Sequence, residues 1–204
     1  MSRKNLAPGT LLSPLPAVMV TSGTKEKANI LTIAWTGIIN TKPPMTYISV
    51  RPSRHSYDII KESGEFVINL VTSKFVREAD FCGVRSGRDI NKAEKCRLHF
   101  EDAAIVSVPI IAESPLALEC KVREIKPLGT HDMFIADIVS ISADERYIDS
   151  KGKINLQQAG LMTYSHGEYF ALGRKLGEFG YSVAKKARNR SYNRNAGGNR
   201  NGKK

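Results

Sequence analysis

Apolar residues along this chain fall into short runs and alternations, with few helical stripes. Residues 17–22 form a short apolar run, and residues 29–39 a longer β-rich one. A Pro43-Pro44 corner then leads into a further run at 47–51, and another lies at 65–70. Over 115–124 the pattern alternates cleanly. Leu116, Leu118, Cys120 and Val122 share one face, and Glu119, Lys121 and Arg123 the other, as in a half-buried antiparallel strand. Residues 133–141 are more continuously apolar and pair with that strand across the turn at 127–130. Helical signals are fewer: 56–63 with Gly64 closing it, 73–81 with Ser73 as N-cap, and 89–96. Strands at short spacing without βαβ alternation predict a mainly β chain, an antiparallel β-barrel with peripheral helices. A Gly-rich dinucleotide turn and a phosphate loop are both absent from the sequence.

Composition narrows the class. The chain has 204 residues, enough for one domain with a proper core, and is 41% hydrophobic and 25% charged, as ordinary globular proteins are. No apolar run is long enough to span a bilayer as a helix, and the N-terminal residues lack a secretory apolar core. Three scattered cysteines, Cys82, Cys96 and Cys120, do not make a disulfide framework, so a reducing cytoplasmic setting is expected. The net charge of +11 is concentrated at one end. Residues 185–204 carry eight Lys or Arg and no Asp or Glu, which leaves +3 for residues 1–184. The division expected is a folded domain over 1–184 and a basic, disordered tail over 185–204. Such a tail could bind nucleic acid non-specifically, as an accessory property or, in an alternative reading, as the main function.

Candidate chemistry concentrates between Asn29 and Tyr57. In an extended strand Leu31, Ile33 and Trp35 share one side, and Thr32, Ala34 and Thr36 the other. The second side is small and weakly polar, which suits either a flat ring lying close to the backbone or a tightly packed helix. Arg51-Pro-Ser-Arg-His-Ser56 ends a strand at Pro52 and opens a helix, with Ser53 or Ser56 as its cap. A helix N-terminus flanked by Arg51 and Arg54 favours a phosphate group. The loop Ser86-Gly-Arg-Asp-Ile-Asn-Lys92 could bring Arg88 or Lys92 to the same anion. The four histidines, His55, His99, His131 and His166, have no metal-site spacing, and no metal is expected. Cys82 is expected to be buried and inert. The aromatic segment Tyr164-Ser-His-Gly-Glu-Tyr169 could line a pocket.

Together these segments resemble the flavin reductase-like family of FMN-binding split barrels, in particular its flavoredoxin-type members. The resemblance runs from about residue 14 to 183. It is carried by Asn29-Ile-Leu-Thr-Ile-Ala-Trp-Thr-Gly37, Pro43-Pro44, Tyr47-Ile-Ser-Val-Arg-Pro-Ser-Arg-His-Ser-Tyr57, Glu65-Phe-Val-Ile-Asn-Leu70, Ser86-Gly-Arg-Asp-Ile-Asn-Lys92 and Tyr164-Ser-His-Gly-Glu-Tyr169. It implies a split β-barrel, a homodimer, and non-covalent FMN with its ring along residues 32–36 and its phosphate near Arg51, Ser53, Ser56 and Lys92. The candidate cofactor-binding residues are thus Asn29, Thr32, Ala34, Trp35, Thr36, Arg51, Ser53, Ser56, Tyr57 and Lys92, with Trp35 expected to turn its side chain toward the core or a dimer contact. The activity implied is that of an FMN oxidoreductase. Its electrons would come from NADH, NADPH or a small redox protein, and a pure electron carrier is the alternative. The basic tail has no counterpart in the resemblance, and no catalytic side chain is assigned.

Overall fold

Strands outnumber helices in the computed structural model, which describes residues 2–183; twelve strands lie among the described residues. They are β1 (Leu15–Pro16), β2 (Val18–Ser22), β3 (Asn29–Ile33), β4 (Thr36–Thr41), β5 (Pro44–Val50), β6 (Glu65–Leu70), β7 (Phe100–Glu101), β8 (Ile110–Ile111), β9 (Leu116–Pro127), β10 (Asp132–Ala143), β11 (Met162–Ser165) and β12 (Glu168–Ala171). Three α-helices accompany them: α1 (His55–Ser63), α2 (Val76–Val84) and α3 (Lys92–Cys96). The chain divides into two units at Leu172–Gly173. The second unit is described only over 173–183, where Lys175 pairs with Glu178 at 2.7 Å. The expected tail, 185–204, lies outside the described residues.

Seven antiparallel strands form one sheet in the order β3-β2-β6-β9-β10-β5-β4. Its two edge strands, β3 and β4, are separated in sequence only by Ala34 and Trp35. A flat seven-stranded sheet would place its edges far apart, so two connecting residues require it to curl until the edges meet. The Ser49 N–H donates to the Trp35 carbonyl at 3.0 Å, carrying the β4–β5 ladder one residue further toward that seam. The barrel interior holds Val18, Val20, Leu31, Ile33, Ile48, Phe66, Ile68 and Phe134. A second core, with Met19, Ile30, Ala79, Cys82, Ala93 and Met162, lies between β2, β3 and the helices outside. β2 and β3 are therefore covered on both faces, which is why apolar residues occupy both faces of each, as at Val18-Met-Val20 and Ile30-Leu31.

Several expectations are corrected here. The run at 29–39 is two strands, because the chain crosses the seam at Ala34-Trp35. The helix expected at 73–81 is a short 3₁₀ turn, Ser73–Phe75, followed by α2. The one expected at 89–96 begins only at Lys92, where the Asn91 side chain accepts from the Glu94 N–H. Gly64 does close α1, in a left-handed conformation at φ 67° with its N–H on Ile60 O. Glu119, expected on the solvent side of its strand, is completely buried. Its carboxylate accepts the N–H groups of Ala104, Ile105 and Val106 at 3.1, 2.7 and 3.2 Å, so the 103–106 loop folds over that face of β9. Burial alone would push this carboxyl up. The three amides outweigh it and hold the group below the usual carboxylate range.

Candidate functional site

Two cavities open side by side at the seam, sharing Leu31, Arg51, Arg54 and Val84. The larger, about 520 Å³, is lined by the backbone run Leu31 to Trp35, by Ser49 to Arg51 from β5, and by His131, Tyr164 and Tyr169. It has the volume of a small-molecule site and an aromatic rim. The smaller, about 230 Å³, is lined by Asn29, Ser53, His55 and Ser56 and by five cations, Arg51, Arg54, Arg85, Arg88 and Lys92, with no carboxylate among its lining residues. The first turn of the nine-residue α1 faces it, so its N–H groups and dipole add to the positive field.

The local structure explains how the cations are placed. The C-terminal carbonyls of α2 receive side chains from other elements. Lys92 Nζ donates to Cys82 O at 2.8 Å and to Ile30 O at 2.7 Å, and Arg54 donates to Gly83 O at 3.3 Å. Cations are favoured at a helix C-terminus, so α2 is pinned beside β3 by the same residues that charge the cavity. Burial pushes the Lys92 ammonium's pKa down. Arg88 donates to Ser53 O at 3.1 Å, tying the 86–92 loop to the start of α1.

Asn29 and Ser56 sit together at the floor, with Asn29 Nδ2 donating to Ser56 Oγ at 2.7 Å. Neither Ser53 nor Ser56 caps α1, contrary to expectation. Arg54 holds the N-cap position without a side-chain cap bond, and Ser56 lies inside the helix. Gly87 approaches so closely that a Cβ built on it would fall 2.0 Å from Asn29 Oδ1. Only glycine permits that cradle, which leaves backbone rather than side chain facing the cavity.

Of the candidate residues, Thr32, Ala34 and Trp35 line the larger cavity, Asn29, Ser53, Ser56 and Lys92 the smaller, and Arg51 both. Thr36 and Tyr57 line neither. Thr36 donates to Tyr47 O at 2.5 Å, and Tyr57 is a barrel-core residue whose hydroxyl donates to Asp132 at 2.5 Å. The Thr32 hydroxyl donates to Ala79 O at 2.5 Å, so this side chain serves the packing of α2. Trp35 does not follow Leu31 and Ile33 inward. It is 37% exposed, and its ring lies 4.6 Å from that of His131. The strand ends at Ile33, so the alternation that predicted its side no longer applies.

Cys82 is buried, and its thiol is pushed up to about 12, so it is inert as expected. His166 lies exposed in the β11–β12 turn, outside the cavity linings. His131, Val84 and Arg85 are lining residues that the sequence pattern does not single out: His131 is distant in sequence from the motifs it joins, while Val84 and Arg85 directly precede the Ser86–Lys92 loop. The basicity of Arg85 was the only available signal.

His131 lines the larger cavity beside Arg51, which lines both. Arg51 Nε donates to its Nε2 at 3.3 Å, so Nε2 carries no proton, and Nδ1 faces Thr130 Oγ1 at 3.0 Å. Burial, then Arg51 and Arg54, lowers its pKa below the ordinary imidazole value. The folded protein therefore resists a proton that the unfolded chain accepts near pH 6.5. Stability from this group is complete above that pH and is lost as pH falls through it. Urea titrations at pH 8, 6.5 and 5 should show wild type losing midpoint more steeply than His131→Phe. Parallel slopes would show that the histidine is not responsible.

Residues 11–173 match the family model described as the flavin reductase like domain. The chain belongs to the flavin reductase-like family. Among solved structures it is similar to flavoredoxin of Desulfovibrio vulgaris (Miyazaki F), with 27% identity, a TM-score of 0.83, and coverage of 90% of this chain and all of that one. An uncharacterised protein of Archaeoglobus fulgidus is 32% identical over 144 residues, 71% of this chain and 81% of its own. The FMN reductase (NADH) RutF of Pseudomonas syringae is 24% identical over 103 residues, 50% of this chain and 56% of its own. The fold is thus that of the flavin reductase-like split barrels.

Proposed function

We propose that this protein is an FMN-binding oxidoreductase taking electrons from NADH or NADPH. The observation that carries the reading is the pair of joined cavities, one aromatic-rimmed and walled by backbone, the other cationic and free of acids at a helix N-terminus. A flat ring with a phosphate tail has that shape and charge, and the Gly87 cradle leaves room for it. FMN, when bound, supplies a ring that accepts a hydride or single electrons. The chain's own residues bind and orient. Arg51, the first turn of α1 and Arg88 hold the phosphate, backbone of β3 and β5 meets the ring's polar edge, and the Trp35–His131 pair shields it from water. No side chain is assigned an acid–base role. A second copy of the chain is the partner this reading favours, with exposed Ile38 and Ile39 on β4 and Ile141 on β10 as surface for it to cover.

Two experiments test this. The purified protein should be yellow and release FMN on denaturation. Removing Arg51 and Ser56 together (Arg51→Ala, Ser56→Ala) should weaken FMN binding about 10- to 100-fold, since hydrogen bonds to charged groups contribute roughly 1.5–3 kcal/mol. Wild-type affinity in that double variant would refute the phosphate assignment. Anaerobic mixing with each nicotinamide then separates a reductase, whose flavin bleaches rapidly, from an electron carrier, whose flavin does not.

A further inference from the structure

A third cavity, about 510 Å³, adjoins the ring cleft on the outer face of α2. Val76, Arg77, Asp80, Phe81 and Val84 recur at helical spacing along that face, and Arg85 and Tyr169 complete the wall. All three cavities meet at Val84, an apolar side chain left 70% exposed. Asp80 and Tyr169 stand on the boundary with the ring cleft, where the Tyr169 hydroxyl donates to Asp80 Oδ1 at 3.2 Å.

The charge distribution says what the groove is for. A phosphate monoester carries about two negative charges. Five cations face the phosphate cavity, more than that group neutralises. One of them, Arg85, also faces the groove, and Arg77 faces the groove alone among the three cavities. The positive field therefore continues past the cofactor site, along α2, into a space with an aromatic wall and one carboxylate. A ligand matching this order has a flat head for the ring cleft, hydroxyls for Asp80, and phosphates for Arg77 and Arg85.

We propose that the α2 groove is the electron-donor subsite, holding the phosphate-bearing half of a nicotinamide dinucleotide on Arg77 and Arg85 while its nicotinamide enters the ring cleft past Val84. This rests on the reductase reading above. Arg77 is the residue to change, because it is exposed and lines neither cofactor cavity.

The test uses the full chain loaded with FMN. Calorimetric titration with 2′,5′-ADP, which cannot reduce the flavin, measures the groove directly. Arg77→Glu should weaken that binding at least 10-fold and raise KM for the reduced nicotinamide by a similar factor. FMN content, unfolding midpoint and kcat should stay at wild-type values. Arg77→Lys should recover most of the affinity, as a charge contact would. Absence of 2′,5′-ADP binding to the wild type at millimolar concentration overturns the proposal, as does binding of benzoate, an unphosphorylated aromatic acid, in its place. If the flavin bleaches and KM of Arg77→Glu stays within twofold of wild type, the reductase reading stands and the subsite falls. If neither nicotinamide bleaches the flavin, both fall together.

Discussion

Gly87→Ala is expected to abolish FMN retention while leaving the barrel folded. The new Cβ would lie 2.0 Å from Asn29 Oδ1, 2.7 Å from its Cγ and 3.0 Å from His55 Cδ2, so one of the partners must move. Asn29 cannot yield cheaply. It is buried, and its amide is committed to the buried Ser56 hydroxyl at 2.7 Å, a bond whose loss strands two polar groups. The loop must retreat instead, drawing Arg88 away from Ser53 O and opening the cationic cavity to water. Loss of one charge-assisted contact at roughly 1.5–3 kcal/mol predicts an affinity about 10- to 100-fold weaker, and loss of two an affinity more than about 100-fold weaker. Quenching of flavin fluorescence on titration measures it, with far-ultraviolet circular dichroism as the folding control. An affinity within threefold of wild type would mean the cradle plays no part in binding.

Glu119→Ala should be the most destabilising single change in the chain outside the hydrophobic core. It leaves the N–H groups of Ala104, Ile105 and Val106 without their acceptor, on a loop where Val106 is buried while Ala104 and Ile105 are exposed. At roughly 1–3 kcal/mol per stranded donor, with partial relaxation of the loop, the expected loss is about 3–5 kcal/mol. Urea unfolding would show it as a lowered midpoint with an unchanged slope. Glu119→Gln tests the electrostatics separately, because its amide would present donors to donors. The acid dependence has a definite sign. The folded pKa is lowered, so this stabilisation is present above the unfolded value of about 4.3 and is lost as pH falls through the folded value. Glu119→Ala should therefore unfold less steeply with acid than wild type below pH 4.3, a window well separated from that of His131. A midpoint within 1 kcal/mol of wild type at pH 7 would refute the structural role.

The elements that depend on local chemistry were legible in the sequence. Gly64 ending α1, the β9–β10 hairpin around Gly129 and the strand-to-helix turn after Pro52 all follow from residue type. The elements that depend on what covers a face were not. Glu119 sits in a polar register of an alternating strand, and only the 103–106 loop, 13 to 16 residues earlier, makes that register an interior. Thr32 posed the same problem in reverse. Its small polar face suited a ring or a packed helix equally, and α2 settled it by occupying the hydroxyl. The cationic cavity was readable because helix-end chemistry and arginines are local signals. The aromatic-rimmed cavity was not, because Trp35 changes direction where β3 stops, and His131, Tyr164 and Tyr169 meet it only through the tertiary fold.

The seam between β3 and β4 has a thermodynamic consequence. Elsewhere in the barrel each strand is laced to two neighbours, so opening any pair there breaks a ladder of bonds. At the seam β3 and β4 are not neighbours in the ladder and are joined by chain continuity through Ala34-Trp35. The lowest-energy local opening of the barrel is therefore located where the ring cleft lies. A molecule lying across the backbone of residues 31–35 and 49–51 acts as a cross-strand clasp, substituting for the missing ladder. Occupancy and local rigidity are then one equilibrium: whatever fills the cleft also shuts the barrel.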